Sequence, residues 1–325
     1  MKKTACAFSN IAFIKYWGVT NSALRIPFNN SISMNLSNLK TITTVEFSPQ
    51  REDDEIIIDG QENQKVNKRI VDHLNRIRVL SKSSYFAKVV SQNNFPASSG
   101  LSSSASGFAA LTLAATAAIN LNLTEKELSI QARIGSGSAS RSIPGGFVQW
   151  QKGDSSDNSY AYTLFPQSYW SIVDVVAIIS DRTKTISTTE AQSNVLTSPF
   201  IEERLKRIED KITNLKKAIS ERNFIKFGEI IESECLEFHS IVMTQTPALI
   251  YLFPQTLALM HLTRELRFQG LQVYFTLNTG HNVHLICQEK DKDKLVDKLS
   301  KLDFIKKTII NFPAGKATLL SDHLF

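Results

Sequence analysis

A glycine- and serine-rich segment that runs directly into an alanine-rich helical pattern restricts the fold of this chain most. Residues 96–107, the phosphate loop, end in Ser-Gly-Leu-Ser-Ser-Ser-Ala-Ser-Gly, and residues 108–118 contain six alanines. Such a loop before a helix offers unpaired backbone N–H groups, hydroxyl donors and the positive end of the helix dipole, which together suit a phosphate group. A plain helix N-cap, with small residues for close packing, is the alternative. The residues alone leave both interpretations open.

Hydrophobic periodicity predicts mixed α and β structure in the first third of the chain. Apolar and polar residues alternate at 31–36, 41–47 and 55–59, which is typical of strands. Residues 68–78 have helical spacing instead.

The second half contains three long helical patterns. Apolar residues recur every three or four positions over 201–219 and 224–239, so two packed helices are expected there. A third helix is predicted over 249–268, with Pro254 as a kink or break and Gly270 as a natural C-cap.

An amide stands at the tip of a predicted hairpin. Residues 271–277 and 283–287 are expected to pair as strands around a turn at Asn278, before a last charged helix at 291–302. An amide has no accessible basic state near neutral pH. If Asn278 faces a reacting hydroxyl, the enzyme therefore has no base at this position that can deprotonate the alcohol.

Composition sets the outer limits. A chain of 325 residues that is 42% hydrophobic can form one large domain or two modest ones. No window approaches the roughly 18 apolar residues of a spanning helix, and the start lacks the apolar run of a secretion signal, so a cytoplasmic location without membrane contact is expected. Cys6, Cys235 and Cys287 are far apart and have no histidine at zinc-ligand spacing. We expect free buried thiols and no metal site.

The basic charge does not by itself identify a partner. The chain has 37 Lys and Arg against 31 Asp and Glu, which suits nucleic acid, an acidic membrane surface or an anionic small molecule. Acids are interleaved with the basic residues at 204–211, and no aromatic-studded basic strand of the RNA-binding type occurs. The pattern favours a solvated helix face and no nucleic-acid partner.

Serines and an arginine cluster among glycines at 132–146. Glycines there let the backbone approach a ligand closely, and the guanidinium of Arg141 matches carboxylate or phosphate oxygens with two parallel hydrogen bonds. With Ser136 and Ser138, this arrangement suits an anionic substrate that carries more than one charged group. A merely structural glycine turn is the alternative.

A lysine interrupts the apolar segment at 9–19. Lys15 is costly there unless its ammonium is paired or reaches a polar site. A lone lysine in a strand is usually an edge or surface residue. The flanking Tyr16 and Trp17 also suit a ligand-facing role for Lys15, so both alternatives stay open.

In order and spacing these segments resemble the diphosphomevalonate decarboxylase group of the GHMP kinase superfamily, over nearly the whole chain. Residues 10–18 resemble its N-terminal signature, 96–107 its phosphate-binding loop and 135–142 its substrate-binding turn. Residues 180–189 are similar to the segment whose hydroxyls approach the terminal phosphate of the nucleotide.

The resemblance implies an α+β fold of two domains with the active site in the cleft between them. The N-terminal domain, at 1–183, would contain a left-handed β-α-β crossover, and the C-terminal domain, at 184–325, would be ferredoxin-like. The implied reaction has two halves: ATP phosphorylates a tertiary 3-hydroxyl, and then phosphate departs with loss of carbon dioxide. A homodimer is implied as well.

The chain departs from the family pattern at three places. Asn278 stands where the family has its catalytic aspartate, and Val19 stands where many relatives have a lysine that reaches the distal phosphate of the substrate's diphosphate. Glu190 and Ala191 replace a usual Gly-Met pair, which affects nucleotide or substrate contacts. The residues that the resemblance assigns to substrate holding and phosphate departure are retained: Lys15, Ser136, Ser138 and Arg141.

These departures lead to the hypothesis of an ATP-independent enzyme that requires no cofactor. It would convert (R)-3,5-bisphosphomevalonate, a small anionic phosphorylated substrate, to isopentenyl phosphate, phosphate and carbon dioxide. One alternative is an ATP-dependent phosphomevalonate or diphosphomevalonate decarboxylase, with Asn278 natural or engineered. Another is a non-catalytic homologue that binds anions or nucleic acid.

The site residues follow from these assignments. The predicted catalytic residues are Lys15, Arg141 and Asn278; the predicted substrate-binding residues are Tyr16, Trp17, Ser136, Ser138 and Arg141; and the predicted phosphate-loop residues are Ser99, Gly100, Ser102, Ser103 and Ser104. His281 is either a phosphate donor or acid in the pocket or a turn residue that faces solvent.

Overall fold

The computed structural model describes residues 1–61, 64–96, 100–180 and 191–325, with the backbone alone for 64–66. The predictions for Ser99 and for residues 181–190 lie outside these ranges. The described strands are β1 Lys2–Ile14, β2 Val19–Asn21, β3 Ile26–Pro27, β4 Ser31–Ser48, β5 Glu55–Ile58, β6 Phe86–Asn93, β7 Phe147–Trp150, β8 Ala161–Phe165, β9 Ile172–Ile178, β10 Val273–Thr276, β11 Val283–Gln288, β12 Lys307–Asn311 and β13 Thr318–Leu320. The described α-helices are α1 Gln64–Ser81, α2 Ser103–Ala118, α3 Glu125–Gly135, α4 Ile201–Ser220, α5 Phe224–Thr244, α6 Pro254–Phe268 and α7 Lys292–Ser300.

The larger sheet is built on two long antiparallel strands, β1 and β4. Its order is β13-β1-β4-β6-β5, with β7 paired to β4 and β8 paired to β7. The β-branched residues of β4 around Thr41–Val45 suit a pleated surface. Strands β5 and β6 pair in parallel, and α1 connects them, so they form a β-α-β unit.

Helix α2 packs on β1 and β4 with its alanine face. Ala109, Ala110, Ala114 and Ala115 have no exposed surface. Their small side chains allow the helix axis to lie close to the sheet. The close-packing role of these alanines is therefore confirmed, and the start of α2 is fixed beside β1.

The smaller sheet has the order β10-β11-β9-β12 with all pairs antiparallel. Helix α6 begins at Pro254, so the predicted start at 249 is wrong. Proline has no N–H to donate and is favoured in the first turn of a helix rather than within it. The predicted C-cap is confirmed: Gly270 has φ +96°, and Leu271 N–H donates to the carbonyl of Leu266 at 2.9 Å.

One hydrophobic core joins the two halves of the molecule. Phe13 of β1 packs edge-on against Phe227 of α5 with ring centroids 4.9 Å apart, and Ile11 and Tyr274 belong to the same cluster. The end of β1 is therefore buried between the two sheets, and the residues that follow it lie at the junction of the domains.

The α+β architecture and the free buried cysteines are confirmed by the structure. No described helix is both long and apolar enough to span a bilayer. Strand β9 lies before residue 183 in the chain but pairs within the smaller sheet. The boundary between 183 and 184 stays a prediction, as do the homodimer and the cytoplasmic location.

Candidate active site

Lys15 follows β1 directly and is almost fully buried. Its Nζ donates to the carbonyl of Ala12 and to Thr276 Oγ1, both at 2.7 Å. Burial lowers the pKa of Lys15 to about 8, while the nearby Cys235 and Glu234 raise it. The ammonium thus has hydrogen-bond partners, as expected. These two partners are neutral oxygens, so its positive charge remains available to bind an anion.

Arg141 is a second buried cation whose hydrogen bonds go to neutral groups. Its Nε donates to Ser33 Oγ at 3.1 Å, its Nη1 to Ser31 Oγ at 2.7 Å and its Nη2 to Asn10 Oδ1 at 3.3 Å. Burial lowers the pKa of this guanidinium to about 10, so it stays charged at neutral pH. Within the described residues Arg141 has no ion-pair partner, and such a buried charge favours the binding of an anion.

The two aromatic residues after Lys15 have different surroundings. Tyr16 packs edge-on against Trp150, with ring centroids 4.7 Å apart, and the guanidinium of Arg141 lies 5.6 Å from the centre of the Tyr16 ring. Trp17 is 1% exposed and donates from Nε1 to Gln245 Oε1 at 3.2 Å. The structure places Trp17 in a hydrophobic cluster, and its role as a substrate contact stays a prediction.

The predicted substrate turn brings Tyr16 and the serines together. Ser136 Oγ donates to Ser104 Oγ at 3.4 Å, which links the turn to the start of α2, and Ser138 lies half-buried in the following 3₁₀-helix. A Cβ atom on Gly137 would lie 2.6 Å from the hydroxyl of Tyr16. Glycine is therefore required for the close approach of Tyr16 to this turn.

The described part of the phosphate loop is directed at the Asn278 turn. Gly100 has φ +90°, and a Cβ there would lie 2.8 Å from Cα of Gly280, so the two segments touch through their backbones. Ser102 precedes α2 with φ 58° and makes no side-chain capping bond. The first turn of α2 contains no acidic residue. Together with the hydroxyls of Ser103 and Ser104, this favours the phosphate-cradle interpretation over the plain N-cap.

Asn278 uses its whole amide to connect three segments. Its Nδ2 donates to the carbonyl of Asn10 at 3.1 Å and to Ser102 Oγ at 2.9 Å. Its Oδ1 accepts from the N–H of Ala12 at 3.2 Å. An ionised carboxylate in this place could not donate a hydrogen bond to the carbonyl of Asn10. The amide therefore lacks basicity, but it connects the turn to β1 and to the phosphate loop.

His281 does not face solvent. Its ring stacks on Phe253 with centroids 4.6 Å apart, and its Nε2 lies 2.9 Å from the carbonyl of Ser180. The solvent-facing alternative is therefore wrong, and the histidine belongs to the packing under the turn.

Several residues of the site were not found from the sequence. Strand alternation carried a signal, because Ser31, Ser33 and Asn35 occupy every second position of β4 and therefore share a face. The missed contacts of Lys15 and Arg141 are Asn10, Ser31, Ser33, Thr276, Arg204 and Glu234.

Arg25, between β2 and β3, lies near two arginines of α1, Arg69 and Arg76, beside the substrate turn. Arg25 Nε donates to the carbonyl of Ile134 at 3.0 Å, and Arg69 Nη2 donates to that of Gly135 at 3.2 Å. Burial lowers the pKa of Arg69, and the charge of Arg25 lowers it further. The pKa of Arg76 is lowered by burial, raised by Asp72 and lowered by Arg25. This arginine cluster, residues 25, 69 and 76, is a second place for an anion.

The two sheets and the phosphate loop before α2 define the α+β fold of the GHMP kinase superfamily. Residues 7–161 match the model for the diphosphomevalonate decarboxylase-like N-terminal domain, and residues 174–321 match that for the mevalonate 5-diphosphate decarboxylase C-terminal domain. The chain belongs to the diphosphomevalonate decarboxylase family, so the prediction of a carboxy-lyase is confirmed.

Individual relatives agree with this assignment along the whole chain. The diphosphomevalonate decarboxylase of Candida albicans is 34% identical over 310 residues, which cover 90% of this chain and 86% of the relative. The mevalonate diphosphate decarboxylase structure from Staphylococcus aureus superposes with a TM-score of 0.93 at 35% identity, covering 98% of each chain. A solved complex of MDDEF with MVAPP, AMPPCP and magnesium has a TM-score of 0.93 at 36% identity, covering 98% of this chain and 99% of that one.

The prediction that no cofactor is required is wrong. The MDDEF complex contains AMPPCP and magnesium together with MVAPP, in a fold that covers nearly all of both chains. The phosphate loop described above offers a helix N-terminus, serine hydroxyls and no acid in the first helical turn, and this donor set fits nucleotide phosphates. The described residues contain no group of three acidic, histidine or cysteine side chains that could hold a metal ion.

Proposed function

We propose that this chain catalyses the ATP-dependent decarboxylation of diphosphomevalonate. The observation that carries the proposal is the pair of buried cations, Lys15 and Arg141, whose side chains donate to neutral oxygens in the part of the chain that the structure describes. Two such charges beside a phosphate loop suit a substrate that gains a phosphate and then loses it. The complex of the related MDDEF with MVAPP, AMPPCP and magnesium supports the same chemistry.

The residues have separate tasks in the two halves of the reaction. Bound MgATP supplies the phosphoryl group that makes the substrate's 3-oxygen a leaving group. The C3–O bond then breaks with its electron pair going to phosphate, and the C1–C2 electrons form the new double bond as carbon dioxide leaves. Lys15 stabilises the negative charge on the departing phosphate, Arg141 orients the carboxylate, and Ser136 and Ser138 donate hydrogen bonds to the substrate.

The amide at Asn278 slows the first half without abolishing it. A positioned general base typically contributes a factor of about 10²–10⁴. Phosphoryl transfer depends mainly on positioning and electrostatic stabilisation, because its transition state is loose and needs little help from a base. The phosphate loop and the two cations supply these terms, so we infer a slow ATP-dependent enzyme in place of an ATP-independent one.

The substrate's 5-phosphate group has two candidate forms. Val19 and Pro27 pair in the β2–β3 hairpin, and Arg25 lies in the connection of the same hairpin. An arginine in this connection supplies a cation where Val19 has none. Because Arg25 lies near Arg69 and Arg76, the site can hold a compact 5-monophosphate. This arrangement favours phosphomevalonate as the second candidate substrate.

Turnover of the two substrates decides between these forms. We expect phosphate and carbon dioxide to be released from diphosphomevalonate only when MgATP is present. If phosphomevalonate has the higher kcat/KM, Val19→Lys should shift the preference towards diphosphomevalonate by about tenfold, which corresponds to one added charge contact of roughly 1.4 kcal/mol. The proposed function would be contradicted if 3,5-bisphosphomevalonate alone gave product while neither diphosphomevalonate nor phosphomevalonate gave product with MgATP.

The pH dependence should follow the ammonium of Lys15. Its pKa of about 8 means that the catalytic cation is lost as the pH rises through 8. We therefore expect kcat/KM to fall about tenfold per pH unit above this value. Bound anionic substrate raises the pKa of the ammonium, so the fall in kcat should begin at a higher pH. A profile that rises through pH 8 would instead assign Lys15 the role of a base.

A further inference from the structure

The main chain of Lys15 is held on both sides by two charged residues of the C-terminal domain. Its N–H donates to Glu234 Oε1 at 3.1 Å, and its carbonyl accepts from Arg204 Nη2 at 2.8 Å. Asn29 Nδ2 donates to the same carbonyl at 3.0 Å. The pairing of β1 with β4 ends at Ile14, so these side chains satisfy the backbone where the neighbouring strand no longer does.

Glu234 and Arg204 also bind each other in a two-pronged ion pair. Arg204 Nη2 donates to Glu234 Oε1 at 2.6 Å and Arg204 Nη1 donates to Oε2 at 2.9 Å. Neither side chain has exposed surface. Lys211 Nζ donates to Glu234 Oε2 at 3.1 Å from the outer side. The pair joins α4 to α5 and brings both helices to the end of an N-terminal strand.

Stability alone is a poor explanation for such a pair. The desolvation of two charges offsets much of their attraction, and apolar residues of similar volume often leave a protein as stable or more stable. The pair has a further property here, because it satisfies the N–H and the carbonyl of one residue and thereby fixes the direction of that residue's side chain.

We propose that Glu234 and Arg204 are positioning residues that clamp the backbone of Lys15 and direct its ammonium at the substrate cleft. The ammonium then reaches Thr276 Oγ1 and the carbonyl of Ala12 at the base of this cleft. This inference rests on the proposed function, in which that ammonium stabilises the departing phosphate. Glu234 and Arg204 act through Lys15 and do not touch the substrate.

The charges around Lys15 determine how each substitution changes its titration. The groups facing Lys15 are Glu234, Cys235 and His239 of α5, Arg204 of α4, Arg141 of the 3₁₀-helix at Gly137–Ser142, and Thr276 of β10. Burial lowers the pKa of Lys15 most, Glu234 raises it and Arg204 lowers it. Loss of the Glu234 charge should therefore lower the pKa of Lys15 further, and loss of the Arg204 charge should raise it.

The double variant Arg204→Met/Glu234→Leu tests the clamp without leaving an unpaired buried charge. We expect kcat to fall by about 100-fold, because a displacement of about 1 Å at a reacting group has an effect of this size. KM should stay within about threefold, since the substrate contacts remain, and the variant should stay folded with its stability lowered by only about 1–3 kcal/mol, because the buried N–H of Lys15 loses its acceptor. The matched control is Lys211→Met, which removes a cation of the same network that does not touch Lys15; its kcat should stay near the wild-type value.

A second measurement follows Lys15 without any turnover. In protein with ¹³C-labelled lysine, NMR titration reports the Lys15 side chain, assigned by the signal lost in Lys15→Met. Glu234→Gln keeps an oxygen acceptor for the Lys15 N–H and removes the charge, so it should lower the pKa of Lys15 while retaining most of kcat. In the double variant the Lys15 signal should broaden or split as its position becomes less defined.

The outcomes separate the clamp from the proposed function. A folded double variant with wild-type kcat, or an equal loss of kcat in Lys211→Met, would overturn the clamp. If the wild type turns over neither mevalonate derivative, the proposed function fails, but the Lys15 signal still decides: a single sharp signal in the double variant refutes positioning, and a broadened one supports it.

Discussion

Replacement of Lys15 by methionine is expected to lower kcat by about 10²–10³-fold, which is the effect of removing one preorganised charge contact at a developing anion. Methionine keeps the unbranched stem, so the packing at the end of β1 should persist. Loss of the ammonium removes the cation that faces the departing phosphate and its bonds to Ala12 and Thr276. Steady-state assays with saturating MgATP and substrate measure the effect.

The same variant has a signature in stability. Burial lowers the folded-state pKa of Lys15 to about 8, below the value of 10.5 for an unperturbed lysine, so the unfolded chain binds more protons between these values. The wild type should therefore gain stability as the pH rises from about 8 towards 10.5, and Lys15→Met should lose this gain. If kcat of Lys15→Met stayed within threefold of the wild-type value, Lys15 would have no role in the chemical step. A parallel loss of kcat and melting temperature would indicate a structural role.

Asn278→Asp is expected to increase the ATP-dependent rate by about 10²-fold or more, because a carboxylate beside the substrate hydroxyl can accept its proton. The N–H of Ala12 can still donate to the new carboxylate, and the hydroxyl of Ser102 can rotate to do so. Single-turnover measurement of 3-hydroxyl phosphorylation isolates this half of the reaction.

The gain should be accompanied by a loss of stability. The carbonyl of Asn10 accepts from the amide at 3.1 Å and would face a carboxylate oxygen instead. An unsatisfied buried acceptor costs about 1–3 kcal/mol, so the melting temperature should fall. Asn278→Ala is the control, since it removes the amide without adding a base and should lower both stability and rate. An unchanged phosphorylation rate in Asn278→Asp would show that proton removal does not limit this enzyme.

Local patterns in the sequence were sufficient for the elements that carry charge at the cleft. The alanine-rich helix, the substrate turn and the hairpin at Asn278 each contain their own signal in spacing and residue type, and the structure brings Lys15, Arg141 and the turn serines to one region. Helical spacing continues across 249–253 and predicts too early a start for α6, whose first helical residue is Pro254.

Other features depend on contacts that no local pattern contains. Tyr16 and Trp17 are adjacent aromatic residues after a strand, and only the packing of Trp17 beside Gln245 shows which of them is core. Arg204 and Glu234 are separated from Lys15 by 189 and 219 positions, so their bonds to its backbone follow from tertiary structure alone. The use of ATP does not follow from Asn278, because the position of the catalytic base and the phosphate loop lie on separate segments, so loss of the base leaves the loop in place.

The surroundings of Arg141 determine how binding energy is distributed between folding and ligand capture. Its guanidinium is removed from water and oriented by two serines and an asparagine when the chain folds. An anion that reaches this group meets a cation that has already lost its hydration and its rotational freedom. The affinity for the substrate should therefore increase at the expense of the stability of the empty protein. A bound anion should raise the melting temperature more than the same anion would if it bound to an exposed arginine.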